Sequence, residues 1–149
     1  MATILVVEDE LDVQKVIAKR LTSRGFTVHC AADGYQAVEM AHRVNPDLIV
    51  LDLQLPAGDG LIALRKMRMT AKIQRAHVIV LTGMTNEEYK QKVLKEGVDA
   101  YLQKPYDAQV LLDTIDKILS GKGDSENKDS PEELPLFDYA AKHQAGPST

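Results

Sequence analysis

Three runs of four residues are apolar at every position, and they constrain the fold of this chain more than any other feature. They are ILVV at 4–7, LIVL at 48–51 and VIVL at 78–81. A strand has this composition when helices cover both faces of its sheet, as in parallel α/β proteins. Two further strand candidates, 26–31 and 100–103, contain more polar residues. We therefore predict a parallel sheet with the three apolar strands in its centre and the other two at its edges.

Segments with helical periodicity separate the five strands. In the first segment, apolar residues recur at i, i+3, i+4 and i+8, and these are Val13, Val16, Ile17 and Leu21. The last segment carries a similar stripe, formed by Leu111, Ile115, Ile118 and Leu119. Three more helices are predicted at 33–43, 59–69 and 86–96. Right-handed crossovers then give a flavodoxin-like, doubly wound (βα)5 fold, and the strand order 2-1-3-4-5 puts the apolar strands in the centre.

The composition excludes several classes of protein. A net charge of −4 over 149 residues argues against a general nucleic-acid binder, which carries a basic face. Cys30 is the only cysteine, so an internal disulfide and a multi-cysteine metal site are excluded, and we expect it to be a small core residue. No apolar run approaches the ~20 residues that span a membrane. We expect a cytoplasmic protein that contacts no membrane and, through this segment, no nucleic acid.

The composition changes after residue 120. Residues 121–149 contain several Gly and Pro residues, and their acids outnumber lysines six to three. Such a composition is typical of a tail or linker, so we predict a folded domain over 1–120 followed by an acidic tail. The stretch 134–139 groups four apolar side chains. It either docks on the domain or a partner, or is an incidental part of a solvated tail.

Polar residues follow the central strands at the points where those strands end. Glu8 and Asp9 follow the first strand, Asp52 the third, Thr82 the fourth and Lys104 the fifth. We expect them to converge, because parallel strands end at one edge of a sheet. Two carboxylates 4 Å apart repel by about 4 kcal/mol at an effective dielectric of about 20. A divalent cation offsets this repulsion, and an all-oxygen site suits Mg²⁺.

This constellation indicates phosphoryl transfer. Asp52 is the expected nucleophile, because a carboxylate can form an acyl phosphate. Mg²⁺, the Lys104 ammonium and the Thr82 hydroxyl are expected to bind the phosphoryl oxygens. Positioning and charge compensation are most of what this chemistry requires.

Over residues 3–120 the sequence resembles the receiver domain of two-component response regulators, including the chemotaxis regulators. The matching motifs are Glu8-Asp9 after ILVV, DLQLP at 52–56 with Gly60 beyond, Thr82-Gly83 after VIVL, and Lys104-Pro105 within YLQKPY. The resemblance implies that Asp52 accepts phosphate from a histidine kinase or a histidine phosphotransfer protein.

The resemblance also implies the other parts of the site. Mg²⁺ is bound by Asp9, Asp52 and the backbone carbonyl of Gln54, with Glu8 contributing through water. The Lys104–Pro105 peptide bond is cis. The domain catalyses only its own phosphorylation and dephosphorylation, and is otherwise not an enzyme.

A switch follows from the same resemblance. Tyr101 stands at the position of the switch aromatic of the family. Phosphorylation is expected to draw Thr82 toward the phosphoryl group, so that Tyr101 turns into the vacated space. Residues 86–120, which contain the fourth helix, fifth strand and fifth helix, then contact a downstream protein or effector domain.

Other functions fit these residues less well. A phosphatase of the haloacid dehalogenase type needs an acid where Gln54 stands, and Glu8-Asp9-Glu10 would repel a flavin phosphate. A receiver-like interaction module that is not phosphorylated remains an alternative. So does the N-terminal receiver fragment of a larger effector protein, against a stand-alone regulator.

Overall fold

The computed structural model describes residues 2–55, 60–69, 75–83 and 86–120. The predicted tail at 121–149, with its apolar stretch at 134–139, lies outside these residues. Strands and helices alternate along the described chain. The strands are β1 (Thr3–Val7), β2 (Thr27–Ala31), β3 (Leu48–Asp52), β4 (His77–Thr82) and β5 (Ala100–Gln103). The helices are α1 (Leu11–Ser23), α2 (Gly34–Val44), α3 (Gly60–Arg68), α4 (Glu87–Leu94) and α5 (Ala108–Ser120).

The five parallel strands follow the order β2-β1-β3-β4-β5, so the predicted fold class is confirmed. The described residues divide into two compact units, one that ends at Val78 and one that begins at Ile79, and these are described in turn. No helix in the described parts of the chain is both long and apolar enough to cross a membrane.

The centre of the first unit is a pair of fully buried strands. Every residue of 4–7 in β1 and of 48–51 in β3 is inaccessible to solvent. β1 pairs with β3 on one side, with Val7 opposite Leu51, and with the more polar β2 on the other. β2 is therefore an edge strand of the sheet, as its composition predicts.

Two side chains of this unit are less buried than the sequence pattern predicts. Val16, assigned to the apolar stripe of α1, is 53% exposed, whereas Ile17 and Leu21 are buried. A helix turns by about 100° per residue, so Val16 lies well to one side of the line through Ile17 and Leu21. Cys30 is half-buried on the edge strand rather than in the core, although burial still raises the pKa of its thiol.

A close backbone approach fixes the chain beyond β3. The Gly60 N–H at the start of α3 donates to the Leu53 carbonyl at 3.2 Å. A Cβ atom on Gly60 would lie 2.6 Å from Leu53 Cα and 2.8 Å from its carbonyl oxygen, which is too close for any side chain. Glycine at 60 therefore allows α3 to begin directly against the residue that follows Asp52.

The second unit contains β5, α4, α5 and β4 from Ile79 onward. Val80 lies opposite Tyr101 and Thr82 opposite Gln103. Asn86 is the N-cap of α4, and its side chain accepts a hydrogen bond from the Tyr89 N–H at 2.9 Å. α5 packs through an apolar stripe whose buried members include Val110, Leu111, Leu112, Ile115 and Ile118.

Candidate functional site

Three carboxylates come together in the first unit at the ends of β1 and β3. Glu8 and Asp9 follow β1, and Asp52 is the last residue of β3. Because Val7 lies opposite Leu51, the next residues along the two strands, Glu8 and Asp52, are also neighbours. One ligand oxygen from each of the three residues lies within 4.8 Å of the others. The structure thus joins the predicted acids into one cluster.

The three acids differ in their access to solvent. Glu8 and Asp52 are each 1% exposed, whereas Asp9 is exposed. Burying carboxylates side by side costs free energy through both desolvation and mutual repulsion. Asp9 opens the cluster to a ligand that arrives from water.

Backbone and amide donors fix the orientation of the buried acids. The Gln54 N–H donates to Asp52 Oδ1 at 2.9 Å, and the Glu10 N–H donates to Glu8 Oε2 at 3.2 Å. The Gln14 amide Nε2 donates to the backbone carbonyls of Glu8 at 2.9 Å and Ala31 at 3.2 Å. These bonds hold the acidic residues through atoms whose positions are set by the strands and by α1.

The cluster fits a magnesium ion. Oxygen ligands around Mg²⁺ lie at about 2.1 Å, so neighbouring ligand atoms are roughly 3 to 4 Å apart. The three carboxylate oxygens lie within 4.8 Å of one another, which is near the spacing of ligands around a single ion. Gln54, whose backbone carbonyl the resemblance adds to the ligands, is exposed two residues beyond Asp52. The donors are all hard oxygen atoms, which suit Mg²⁺.

Thr82 and Lys104 lie together in the second unit. Thr82 ends β4 and is fully buried, and Lys104 directly follows β5. The Lys104 N–H donates to the Thr82 carbonyl at 2.7 Å, and the Lys104–Pro105 peptide bond is cis. The backbone hydrogen bond brings the ends of these two strands into register.

Tyr101 lies on the same face of the β4–β5 pair as Thr82. Val80 is opposite Tyr101, and side chains two residues apart on a strand point to the same side. The Tyr101 side chain is only 4% exposed. Burial, and secondarily the negative charge of Glu87, raise the pKa of the Tyr101 phenol. The Lys90 ammonium lies over the ring, 5.5 Å from its centroid.

The sequence patterns missed two residues of these surroundings. Gln14 and Lys90 were not identified, because each acts through contacts with distant parts of the chain. The three-residue spacing of Glu87, Lys90 and Val93 is the signal that could have indicated Lys90, since it puts these residues on one face of α4.

Comparison with known proteins gives a consistent result. Residues 4–116 match the family described as the response regulator receiver domain. The response regulator MprA of Mycobacterium sp. (strain KMS) is 33% identical over 128 residues, which cover 86% of this chain and 55% of the relative. The chain therefore spans about half the length of the curated relatives it matches.

Solved structures share the fold. The chemotaxis response regulator CheY4 of Vibrio cholerae superposes with a TM-score of 0.73 at 29% identity, covering 79% of this chain and 98% of CheY4. The receiver domain of the sensor histidine kinase PA1611 from Pseudomonas aeruginosa PAO1 gives a TM-score of 0.70 at 35% identity. The match covers 78% of this chain and 95% of that receiver domain. That receiver domain has a magnesium ion coordinated in its active site cleft.

Proposed function

The chain belongs to the response regulator receiver domain family, and we propose that it is a switch controlled by phosphorylation of Asp52. The observation that carries the proposal is the cluster of three carboxylate oxygens within 4.8 Å, with Asp52 buried among them. Two further acids beside a buried aspartate are electrostatically unfavourable unless another group offsets their repulsion. A cation site that also receives phosphate accounts for this arrangement, because the cation offsets the repulsion.

Asp9, Asp52 and the Gln54 carbonyl are the proposed magnesium ligands, with Glu8 acting through water. Mg²⁺, when bound, supplies positive charge that offsets the repulsion of the acids and favours an incoming phosphoryl oxygen. The presence of magnesium in the related PA1611 receiver domain supports this choice of metal.

In the proposed reaction, an Asp52 carboxylate oxygen attacks the phosphorus of a phosphohistidine. A P–O bond to Asp52 forms while the P–N bond to the imidazole breaks, and the histidine nitrogen keeps the electron pair of that bond. The Gln54 N–H, bound to Asp52 Oδ1, limits rotation of the carboxylate and so orients it for attack. The donor is a histidine kinase or a histidine phosphotransfer protein.

Lys104 and Thr82 are proposed to bind the phosphoryl oxygens through the ammonium and the hydroxyl. Their support is their position at the ends of β5 and β4, together with the strand order and the family match. A bound phosphoryl group would draw Thr82 toward it, and Tyr101 would then turn into the vacated space. Residues 86–120 would present the changed surface to a downstream protein or effector domain.

We propose the same site for a stand-alone regulator and for the receiver of a longer effector protein. Residues 1–120 form the receiver in either form, and 121–149 form the tail or linker. The interaction module that is not phosphorylated is the competing proposal, and a cytoplasmic location remains our prediction.

Intact-mass spectrometry tests the function directly. After incubation with acetyl phosphate and Mg²⁺, the wild-type chain should gain about 80 Da, the mass of one phosphoryl group. Asp52→Asn should show no gain. The wild type should also show no gain when a chelator replaces Mg²⁺ during the incubation. Asp113→Asn, an exposed change on α5, should behave like the wild type. A gain that persists in Asp52→Asn would move the phosphoacceptor elsewhere, and no gain in the wild type would favour the interaction module.

A further inference from the structure

α4 and β5 are joined by a side-chain pair that the proposed function does not use. The Lys90 ammonium of α4 lies over the ring of Tyr101, with Nζ 5.5 Å from the centroid. A cation within about 6 Å of a ring centroid is attracted to the negative face of the aromatic system. The pair therefore connects a helix residue to the side chain that we assign to the switch.

The face of α4 toward β5 carries two opposite charges. Glu87, Lys90 and Val93 recur at intervals of three residues and share one side of the helix. Val93 is fully buried, and Glu87 is near enough for its charge to raise the pKa of the Tyr101 phenol. Gln91 Nε2 donates to Glu87 Oε2 at 2.8 Å and so restrains the carboxylate. Tyr101 thus has the Lys90 ammonium over its ring and lies within electrostatic reach of Glu87 on the same helix.

These contacts favour one position of the ring. Tyr101 is buried, and Lys90, whose ammonium lies over the ring, is half-buried. Any movement of the ring away from α4 separates the ammonium from the aromatic face. We propose that Lys90 is a positioning residue that holds the Tyr101 ring against α4 and sets how far the ring moves when Asp52 is phosphorylated. The link to phosphorylation rests on the proposed switch role of Tyr101, whereas the ring position can be measured without phosphate.

Fluorine NMR of the full chain labelled with fluorotyrosine measures that position, with the Tyr101 signal assigned from Tyr101→Phe. Lys90→Met removes the charge but keeps an unbranched, helix-forming side chain. It should increase the solvent-exposed population of Tyr101 about two- to fivefold, the amount that corresponds to a surface cation–π contact. Lys90→Arg should retain the wild-type signal because it keeps the cation.

Lys92→Met is the matched control, since Lys92 is exposed on the same helix. It should leave the Tyr101 signal unchanged. A wild-type signal in Lys90→Met would overturn the proposal, as would an equal shift in Lys92→Met, which would indicate a general effect on the helix. Circular dichroism of each variant checks that α4 and the remaining helices are still formed.

A second measurement, with acetyl phosphate and Mg²⁺, separates this proposal from the function on which it depends. Phosphorylation should move the Tyr101 signal of the wild type, and the size of this change should differ in Lys90→Met at the same mass gain on Asp52, because the ring starts from a different distribution of positions. An equal change in both proteins would overturn the coupling to Lys90. A mass gain without any movement of Tyr101 in the wild type would contradict the proposed switch, while the phosphate-free spectra would still decide whether Lys90 holds the ring.

Discussion

In the first unit the buried carboxylates of Glu8 and Asp52 are held by backbone N–H groups, whereas in the second unit the Tyr101 ring is contacted by side chains of α4. The Gln54 and Glu10 N–H groups bind the acids at 2.9 and 3.2 Å. Backbone donors are fixed by the fold, while a lysine side chain over a ring rearranges with few other changes. The region that we propose to position reacting atoms and the region that we propose to change shape therefore use different kinds of contact.

The helices show the same contrast. α4 has eight residues and only Val93 among them is buried, whereas α5 buries six of its thirteen. A helix with one buried anchor loses less free energy when it moves than one with a complete apolar stripe. α4 is therefore the helix best suited to change position.

The largest expected effect breaks the electrostatic side of this comparison. Asp52→Asn should raise the free energy of unfolding by about 2 to 4 kcal/mol in the absence of metal, because it removes the repulsion among the clustered acids. The amide oxygen of the introduced asparagine can still accept from the Gln54 N–H. Urea unfolding in a chelator measures the change, and Asp113→Asn should have little effect. Added Mg²⁺ should stabilise the wild type but not the variant. If Asp52→Asn were less stable than the wild type, repulsion among the three acids would not be a significant cost.

Two glycines sharpen the comparison of backbones. Gly60→Ala should lower the free energy of unfolding by about 1 to 3 kcal/mol, because the new Cβ overlaps the Leu53 backbone. Gly97 has φ +80° with open space around it, so Gly97→Ala should cost about 1 to 2 kcal/mol through strain alone. Asparagine, which tolerates the left-handed region, should recover stability at 97 but not at 60. Recovery at both positions would show that Gly60 is not limited by contact.

The helix caps provide a matched pair across the two units. Asp33 accepts from the Gln36 N–H at 2.8 Å, and Asn86 accepts from the Tyr89 N–H at 2.9 Å. Each change to alanine should cost about 1 kcal/mol. Hydrogen exchange should show that α4 opens faster in Asn86→Ala than α2 does in Asp33→Ala. The reason is that α4 has fewer buried residues. Equal opening rates would contradict the inference that α4 moves more readily than the better-buried helices.

The smallest effect concerns alkaline pH. Burial and Glu87 raise the pKa of Tyr101 above its unfolded value of about 10, so the folded state binds its proton more tightly. This stability is present below pH ~10 and is lost as pH rises through the folded pKa. Glu87→Gln should lower the Tyr101 pKa in an ultraviolet titration, and Tyr101→Phe should weaken the alkaline loss. Cys30→Ala controls for the thiol, whose pKa burial also raises; an unchanged Tyr101 pKa in Glu87→Gln would place that carboxylate away from the phenol.

Much of the fold could be predicted because a strand that is buried on both faces is apolar at every position, which the local sequence shows directly. Three apolar runs identified β1, β3 and β4, and β5 has the predicted bounds of 100–103. Val16 shows where this stops, since periodicity gives the stripe of a helix but not its width. That width depends on what the neighbouring elements cover.

The acidic cluster was predictable for a related reason, because strand ends in a parallel sheet must meet. Glu8 and Asp52 follow from the register of β1 and β3 alone. Lys90 and Gln14 were not predictable in this way, because their partners depend on how α4 and α1 rotate about their axes. Local patterns do not determine that rotation.

Gln14 has a consequence for which sequences this site can accept. Its amide nitrogen donates both to the Glu8 carbonyl beyond β1 and to the Ala31 carbonyl at the end of β2. The position requires a donor: glutamate has nearly the same shape, but it would oppose two carbonyl oxygens and add negative charge near the carboxylates. The chemistry of the site thus extends to a requirement on the first helix, where a change of a single atom type would matter more than a change of size.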